Sequence, residues 1–185
     1  MSSSADLRWF PLRVTYNREL KIKREFDRLG ITNYLPMTIE LNGDKGMQES
    51  VLVPAIHNLI FAQSTQEILT NLKMENREFE PIRYMMRRST DGKTTILTIP
   101  DYQMDNFMKV SSVHDSSVKY LECSDYVCKV GKKVRITAGQ FKDVVGVIKR
   151  IKKNRYFVVQ IEGVAAVAIT YIPKEFIEEV KHGSI

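Results

Sequence analysis

Gly131-Lys-Lys-Val134-Arg-Ile-Thr-Ala-Gly139-Gln-Phe141-Lys-Asp143-Val-Val-Gly146-Val-Ile148 alternates apolar and polar residues on either side of a short loop between two glycines. Alternation with period two is the mark of a strand with one face inward. Glycine supplies the positive φ or the close approach that tight turns between short strands need. The runs on either side continue the pattern. Lys133–Thr137, Val144–Ile151, Tyr156–Ile161 and Ala165–Tyr171 are β-rich and are separated by Gly139, Asn154 and Gly163. Short strands at this spacing predict a small barrel whose narrow interior is filled by the alternating apolar side chains.

Moving toward the N-terminus, Ser111–Asp125 is polar and without a clear period, which predicts a linker. The pattern before it is mixed. Arg8–Val14 predicts a strand, and Asn17 is an expected N-cap for a helix whose stripe is Ile22, Phe26 and Leu29 and whose stop is Gly30. Thr32–Met37 predicts a second strand, and Leu41–Gly46 a hairpin tip. Val51–Val53 and Asn58–Ala62 are expected to continue the sheet, with Pro54 at an edge or bend. Ser64-x-x-Glu67 is a capping-box pattern ahead of a helix burying Ile68, Leu69 and Leu72. Ile82–Arg88 and Thr94–Ile99 predict a strand pair around Asp91-Gly92, and Asp101 a capped helix with Met104, Phe107 and Met108 inward.

The formal net charge is +6, and its distribution is uneven. From Lys129 onward there are 12 Lys/Arg and 5 Asp/Glu, while residues 1–128 carry the remaining 16 and 17. The basic excess thus belongs to the C-terminal third, which points to two modules and offers the second as a polyanion-facing surface, or simply a well-solvated one. No apolar run approaches the roughly 18–20 residues of a membrane span. Met1–Asp6 lacks the basic and apolar regions of a signal peptide, so a cytoplasmic protein without membrane contact is expected. Cys123 and Cys128 have no second Cys/His pair near enough to complete a zinc site, and His57, His114 and His182 are scattered. With no phosphate loop, metal quartet or activated nucleophile, no cofactor and no enzymatic activity are expected.

The Gly131–Ile148 run resembles the KOW motif. The likeness extends over residues 131–180, with Gly139–Gly146 similar to the exposed loop of NusG-family barrels and Ile172-Pro-Lys-Glu-Phe176 similar to their closing segment. Trp9-Phe-x-Leu-Arg-Val14, the Asn17–Leu29 helix and Gly30-Ile-x-x-Tyr34-Leu-Pro-Met37 resemble the NusG N-terminal domain over roughly residues 8–110. Asn58-Leu-Ile-Phe-Ala62 and Ile99-Pro-Asp-Tyr-Gln-Met104 are similar to the specialised UpxY-type antiterminators, each of which acts on one capsular polysaccharide operon. General NusG proteins usually carry Pro-Gly-Tyr where this chain has His57-Asn58-Leu59, and a specialised paralogue shares the asparagine. The resemblance implies an α+β protein. An NGN-type α/β sandwich, an antiparallel sheet with flanking helices, spans 7–110. A linker spans 111–128, and an SH3-like KOW β-barrel spans 129–185.

The resemblance also implies sites, each with a plainer alternative. An apolar face of the first module grips the clamp helices of RNA polymerase in the family. The matching positions are Ile56, Leu59, Phe61 and Tyr84, which ordinary core packing explains equally well. Arg18, Lys21 and Arg28 share one helix side, which on this fold faces the non-template DNA strand. Arg83, Arg87 and Arg88 form a second such cluster, and a solvated face is the alternative for both. Phe141 is either barrel core or the apolar contact of a loop that docks, in the family, on a ribosomal protein or a termination factor; Gly139 and Lys142 beside it favour exposure. Lys149, Arg150, Lys152, Lys153 and Arg155 crowd one expected hairpin tip and offer an RNA-binding surface by counterion release.

The implied function is antitermination of one operon by a monomeric factor on polymerase, touching non-template DNA or nascent RNA. A general NusG that couples transcription to translation or termination is the first rival. A ribosome-associated RNA-binding KOW protein is the second. Residues of the second module favour strands (Val, Ile, Thr, Tyr), so a stable barrel without a helical alternative is expected.

Overall fold

The computed structural model describes residues 6–43, 49–121, 132–151 and 154–180. The expected turn at Asp44–Gly46, both cysteines, Gly131, Lys152, Lys153 and His182 lie outside the described residues. In chain order the elements are β1 (Arg8–Val14), α1 (Glu19–Arg28), β2 (Asn33–Tyr34), β3 (Met37–Asn42), β4 (Glu49–Pro54), β5 (Leu59–Ser64), α2 (Gln66–Glu75), β6 (Ile82–Tyr84), β7 (Met86–Arg88), β8 (Thr94–Ile96), α3 (Asp101–Ser111), β9 (Val118–Leu121), β10 (Lys132–Ile136), β11 (Val145–Ile151), β12 (Asn154–Ile161), β13 (Ala165–Ile169) and β14 (Ile177–Glu179). The α+β class is as expected. The chain divides into two compact units, one of residues 1–36 and 54–101, the other of 37–53 and 102–185.

In the first unit a four-stranded antiparallel sheet runs in the order β2-β5-β1-β6. Its two central strands are apolar on both faces: Trp9, Phe10, Leu12 and Val14 on β1 and Leu59 to Ala62 on β5 are all buried. The helix α1 buries Ile22 and Phe26, and Phe26 packs on Phe79 with ring centroids 5.0 Å apart. Leu29, expected in the stripe, is 40% exposed because it is already the C-cap. The stop is at Gly30, φ +69°, where Gly30 and Ile31 donate to the carbonyls of Asp27 and Phe26 at 3.1 and 2.9 Å. That pair of bonds satisfies carbonyls the helix would otherwise leave open.

Several local expectations are corrected. Asn17 does not cap α1; Tyr16 and Asn17 are both left-handed, φ 65° and 52°, and turn the chain sharply out of β1, so Arg18 takes the cap position. The cap of α2 is Thr65, one residue after Ser64, and its Oγ1 accepts from the Ile68 amide at 3.2 Å. Ser64 is instead the buried end of β5, and Ile68 is turned to solvent at 44% exposure. The strand expected over Thr32–Met37 is short, because Pro36 separates β2 from β3. Val51–Val53 does not extend the main sheet: β4 pairs with β3 as a separate two-stranded ribbon. Ile82–Arg88 splits into β6, on the main sheet, and β7, which pairs with β8.

In the second unit six antiparallel strands follow the order β14-β10-β11-β12-β13-β9. Gly146 sits where β11 crosses β12 closely: a Cβ there would lie 2.6 Å from the Val158 carbonyl oxygen and 2.7 Å from the Phe157 ring. Only glycine allows that approach. β9 falls within the stretch read as linker and pairs with β13, Leu121 opposite Ala166 and Val118 opposite Ile169. Its polar composition conceals a strand because one ladder and a few contacts on the β13 edge suffice to order it. α3 belongs to this unit and buries Met104, Phe107 and Val110, with Met108 half-buried.

Candidate polymerase and nucleic-acid interfaces

The turn that enters β5 sets the first surface. Asn58 is left-handed, φ 60°, a conformation that asparagine tolerates better than any other residue but glycine. Its amide donates to Oε1 of Glu19, a carboxylate only 2% exposed at the start of α1, and its carbonyl accepts from the Val14 amide at 3.1 Å. Asparagine thus meets at this place a backbone requirement that glycine would also meet.

Around that turn Ile56 is partly exposed, whereas Leu59 and Phe61 are 2% and 0% exposed. Those two side chains are core in this structure. Tyr84 is half-buried, edge-on to Phe10 at 5.9 Å. Its hydroxyl bonds Thr70 Oγ1 at 3.0 Å and the Gln66 carbonyl at 3.1 Å, and burial pushes its pKa up. Tyr84 thus fastens α2 to β6, a structural task that sequence alone did not reveal.

Arg18, Lys21 and Arg28 are all exposed on α1. Lys21 pairs with Glu78 at 2.5 Å, and that bond lowers the glutamate's pKa; Arg28 pairs with Glu25 at 2.9 Å; the Arg18 guanidinium lies 5.8 Å above the Tyr16 ring. Two of the three cations are therefore locally balanced by exposed partners, which solvent and salt screen. In the second cluster Arg83 stands opposite Arg13 on β6, and Arg87 and Arg88 are exposed on β7.

On the barrel, the Gly139–Gly146 loop is bonded rather than open. Asp143 donates to the Ile136 carbonyl at 2.7 Å and Val144 to that of Phe141 at 3.1 Å. Asp143 is left-handed at φ 71°. Phe141 is 7% exposed, so the exposed ring expected from its neighbours is corrected: the loop folds its aromatic inward. Residues of α3 hold the same loop. Lys109 Nζ donates to the Lys142 carbonyl at 2.5 Å, and the Val145 amide donates to Asn106 Oδ1 at 3.0 Å. A cavity of about 610 Å³ lies beside this contact, lined by Tyr102 and Gln103 of α3 and by Val147 and Val158 of the sheet.

The basic hairpin is formed by β11 and β12. Arg150 stands directly opposite Arg155, both exposed, and Lys149 donates to Gln160 Oε1 at 2.9 Å. Lys152 and Lys153, between the strands, are outside the described residues. Among the described residues no group of three His, Cys, Asp or Glu is placed to hold a metal, and no helix is long and apolar enough to cross a membrane.

Residues 7–108 match the family model described as transcription termination factor nusG, and residues 130–162 match the KOW motif. Both are domains of non-enzymatic transcription factors. No curated protein sequence matches the chain. A solved structure described as "Domain interaction in Thermotoga maritima NusG" is similar at 16% identity and a TM-score of 0.42, over 95% of this chain and 98% of that one.

Proposed function

The chain belongs to the NusG family of transcription elongation and antitermination factors, whose nusG model covers more than half of it, and we propose that it is a specialised member that binds RNA polymerase and promotes readthrough of one operon of the capsular-polysaccharide type. Members of the family generally bind polymerase and nucleic acid. The observation that carries the specialised reading is the Ile99-Pro-Asp-Tyr-Gln-Met104 stretch, with Asn58–Ala62 in support. In this reading a factor that binds the closed, elongating clamp better than the open, paused one shifts the population toward elongation.

The first module supplies the polymerase contact. Ile56 is at hand for it, while Leu59 and Phe61 reach a partner only when exposed by a rearrangement. Arg18, Lys21 and Arg28 supply the contact to non-template DNA, and the barrel a second partner, a ribosomal protein or another regulator. A partner that docks on the Phe141 loop must displace Asn106 and Lys109 from it.

Transcription by purified polymerase on a template with a terminator behind the chain's own leader DNA tests the reading. Readthrough should rise when the protein is added with that leader, and unchanged readthrough overturns it. A second reading is a general NusG. Asparagine, like glycine, tolerates the left-handed conformation that residue 58 adopts, so His57-Asn58-Leu59 is compatible with it. Occupancy on polymerase across the genome separates the two: one operon for the specialised factor, nearly all genes for the general one.

A further inference from the structure

We infer that the cavity between α3 and the Val147 face of the barrel sheet is a binding site for a small organic anion with a flat apolar body. It holds about 610 Å³, inside the roughly 300–1,000 Å³ range of small-molecule sites. Register sets one wall. Lys133 stands opposite Val147, and Val147 opposite Val158, so the three side chains share a face of the sheet; Gln160, two residues past Val158, joins them. Val158 is fully buried, whereas Val145, Val147 and Val180 of the same lining are only partly buried. The other wall is α3, through Tyr102 and Gln103, and the bond from the Val145 amide to Asn106 fastens it to the sheet. A flat ring laid between the walls takes the half-covered valines out of water.

The polar groups of the walls are half used. Gln103 Nε2 donates to the Tyr102 hydroxyl at 3.1 Å, which leaves Gln103 Oε1. Gln160 Oε1 accepts from Lys149 at 2.9 Å, which leaves Gln160 Nε2. One acceptor on the helix and one donor on the sheet thus remain to orient a ligand that carries a polar group of each kind. Charge narrows the class further. Glu179 is paired with Lys132 at 2.5 Å, while Lys133 is in no ion pair among the described residues. The lining therefore carries one unbalanced positive charge, which favours a monoanion over a neutral or cationic ligand. A ligand that touches both walls binds the docked arrangement of α3 better than any other, and so holds α3 on the sheet. Polymerase plays no part in this site, so it stands or falls separately from the function proposed above.

The test is titration of the full chain with two probes that share one apolar body, anilinonaphthalene sulfonate and the uncharged phenylnaphthylamine, followed by fluorescence and by amide NMR. The sulfonate should shift the amides of Val145, Val147 and Gln160 and slow hydrogen exchange at Val145. It should bind about two- to fivefold more tightly than the neutral probe, as one exposed charge pair allows. Lys133→Gln should erase that difference and leave the neutral probe unchanged. Gln103→Trp fills the cavity from the partly exposed side of α3 and should weaken both probes about tenfold or more, since the ring it supplies takes the place of theirs. Gln103→Ala leaves the space open and should keep the neutral probe within about tenfold of the parent, the cost of one hydrogen bond, which separates a filled cavity from a disturbed helix. Absence of binding by both probes, amide shifts confined to residues away from the cavity, or undiminished affinity in Gln103→Trp overturns the site. Equal affinity for the two probes overturns its preference for an anion.

Discussion

Two residues define the backbone conditions at the margins of the candidate surfaces. Asn58 is left-handed and its amide is held by the buried Glu19. Asn58→Ala should cost about 1–2 kcal/mol, the penalty of a Cβ in that conformation, whereas Asn58→Gly should lie within about 0.5 kcal/mol of the parent. Urea denaturation midpoints check both, and a neutral alanine would show that the turn does not need the left-handed state. Gly146→Ala should destabilise by about 1–3 kcal/mol or more, because the new methyl meets a carbonyl oxygen and an aromatic ring well inside contact distance. A lowered thermal midpoint is the readout. The sequence disclosed these places unevenly. Gly30, Gly139 and Gly146 were legible as turn or close-approach positions, since glycine is the residue that positive φ and close backbone approach favour most. The Glu19–Asn58 bond was not, because its partners are 39 residues apart and neither has a local signature. Phe141 was left open between core and contact for a related reason: flanking polar residues show that a segment is a loop, and the direction of one ring within it is decided by tertiary contacts.

Elements were read best where period and punctuation agreed. β1, α1 and the four strands of the C-terminal run were expected close to where they lie, since alternation or helical spacing ran uninterrupted between glycines and asparagines. β9 escaped notice because four residues cannot display a period, and its order comes from β13. It covers what would otherwise be the exposed edge of an almost wholly apolar strand, Ala165–Ile169. An unprotected apolar edge invites association. A fragment of residues 112–185 should therefore remain monomeric and melt higher than one of residues 129–185, which leaves that edge open. Thermal melts with sedimentation of both fragments check this, and equal behaviour would show that β9 contributes nothing. Far-ultraviolet circular dichroism of the longer fragment should show strand and little helix, in keeping with its Val, Ile and Tyr content.

At the scale of the molecule, the compact units do not follow a single cut in the chain. The boundary is crossed at 36/37, 53/54 and 101/102, so that α3 and the β3–β4 ribbon group with the barrel. A hydrophobic pattern reports which residues face inward, not which neighbour they face, so α3 was legible as a helix while its association with the barrel was not. The Asn106–Val145 and Lys109–Lys142 bonds express that association in two contacts, each between a side chain of α3 and the backbone of the barrel loop. A hydrogen bond of this kind has a net worth of about 0.5–1.5 kcal/mol, so its loss should speed local opening by roughly two- to thirteenfold. Exchange of the Val145 amide in the full chain should accordingly be slow, and faster by that factor in Asn106→Ala. The same amide should exchange faster in residues 112–185, which lack α3 altogether. If all three exchange alike, α3 does not hold the loop in solution, and the loop is free to meet its partner without first giving anything up.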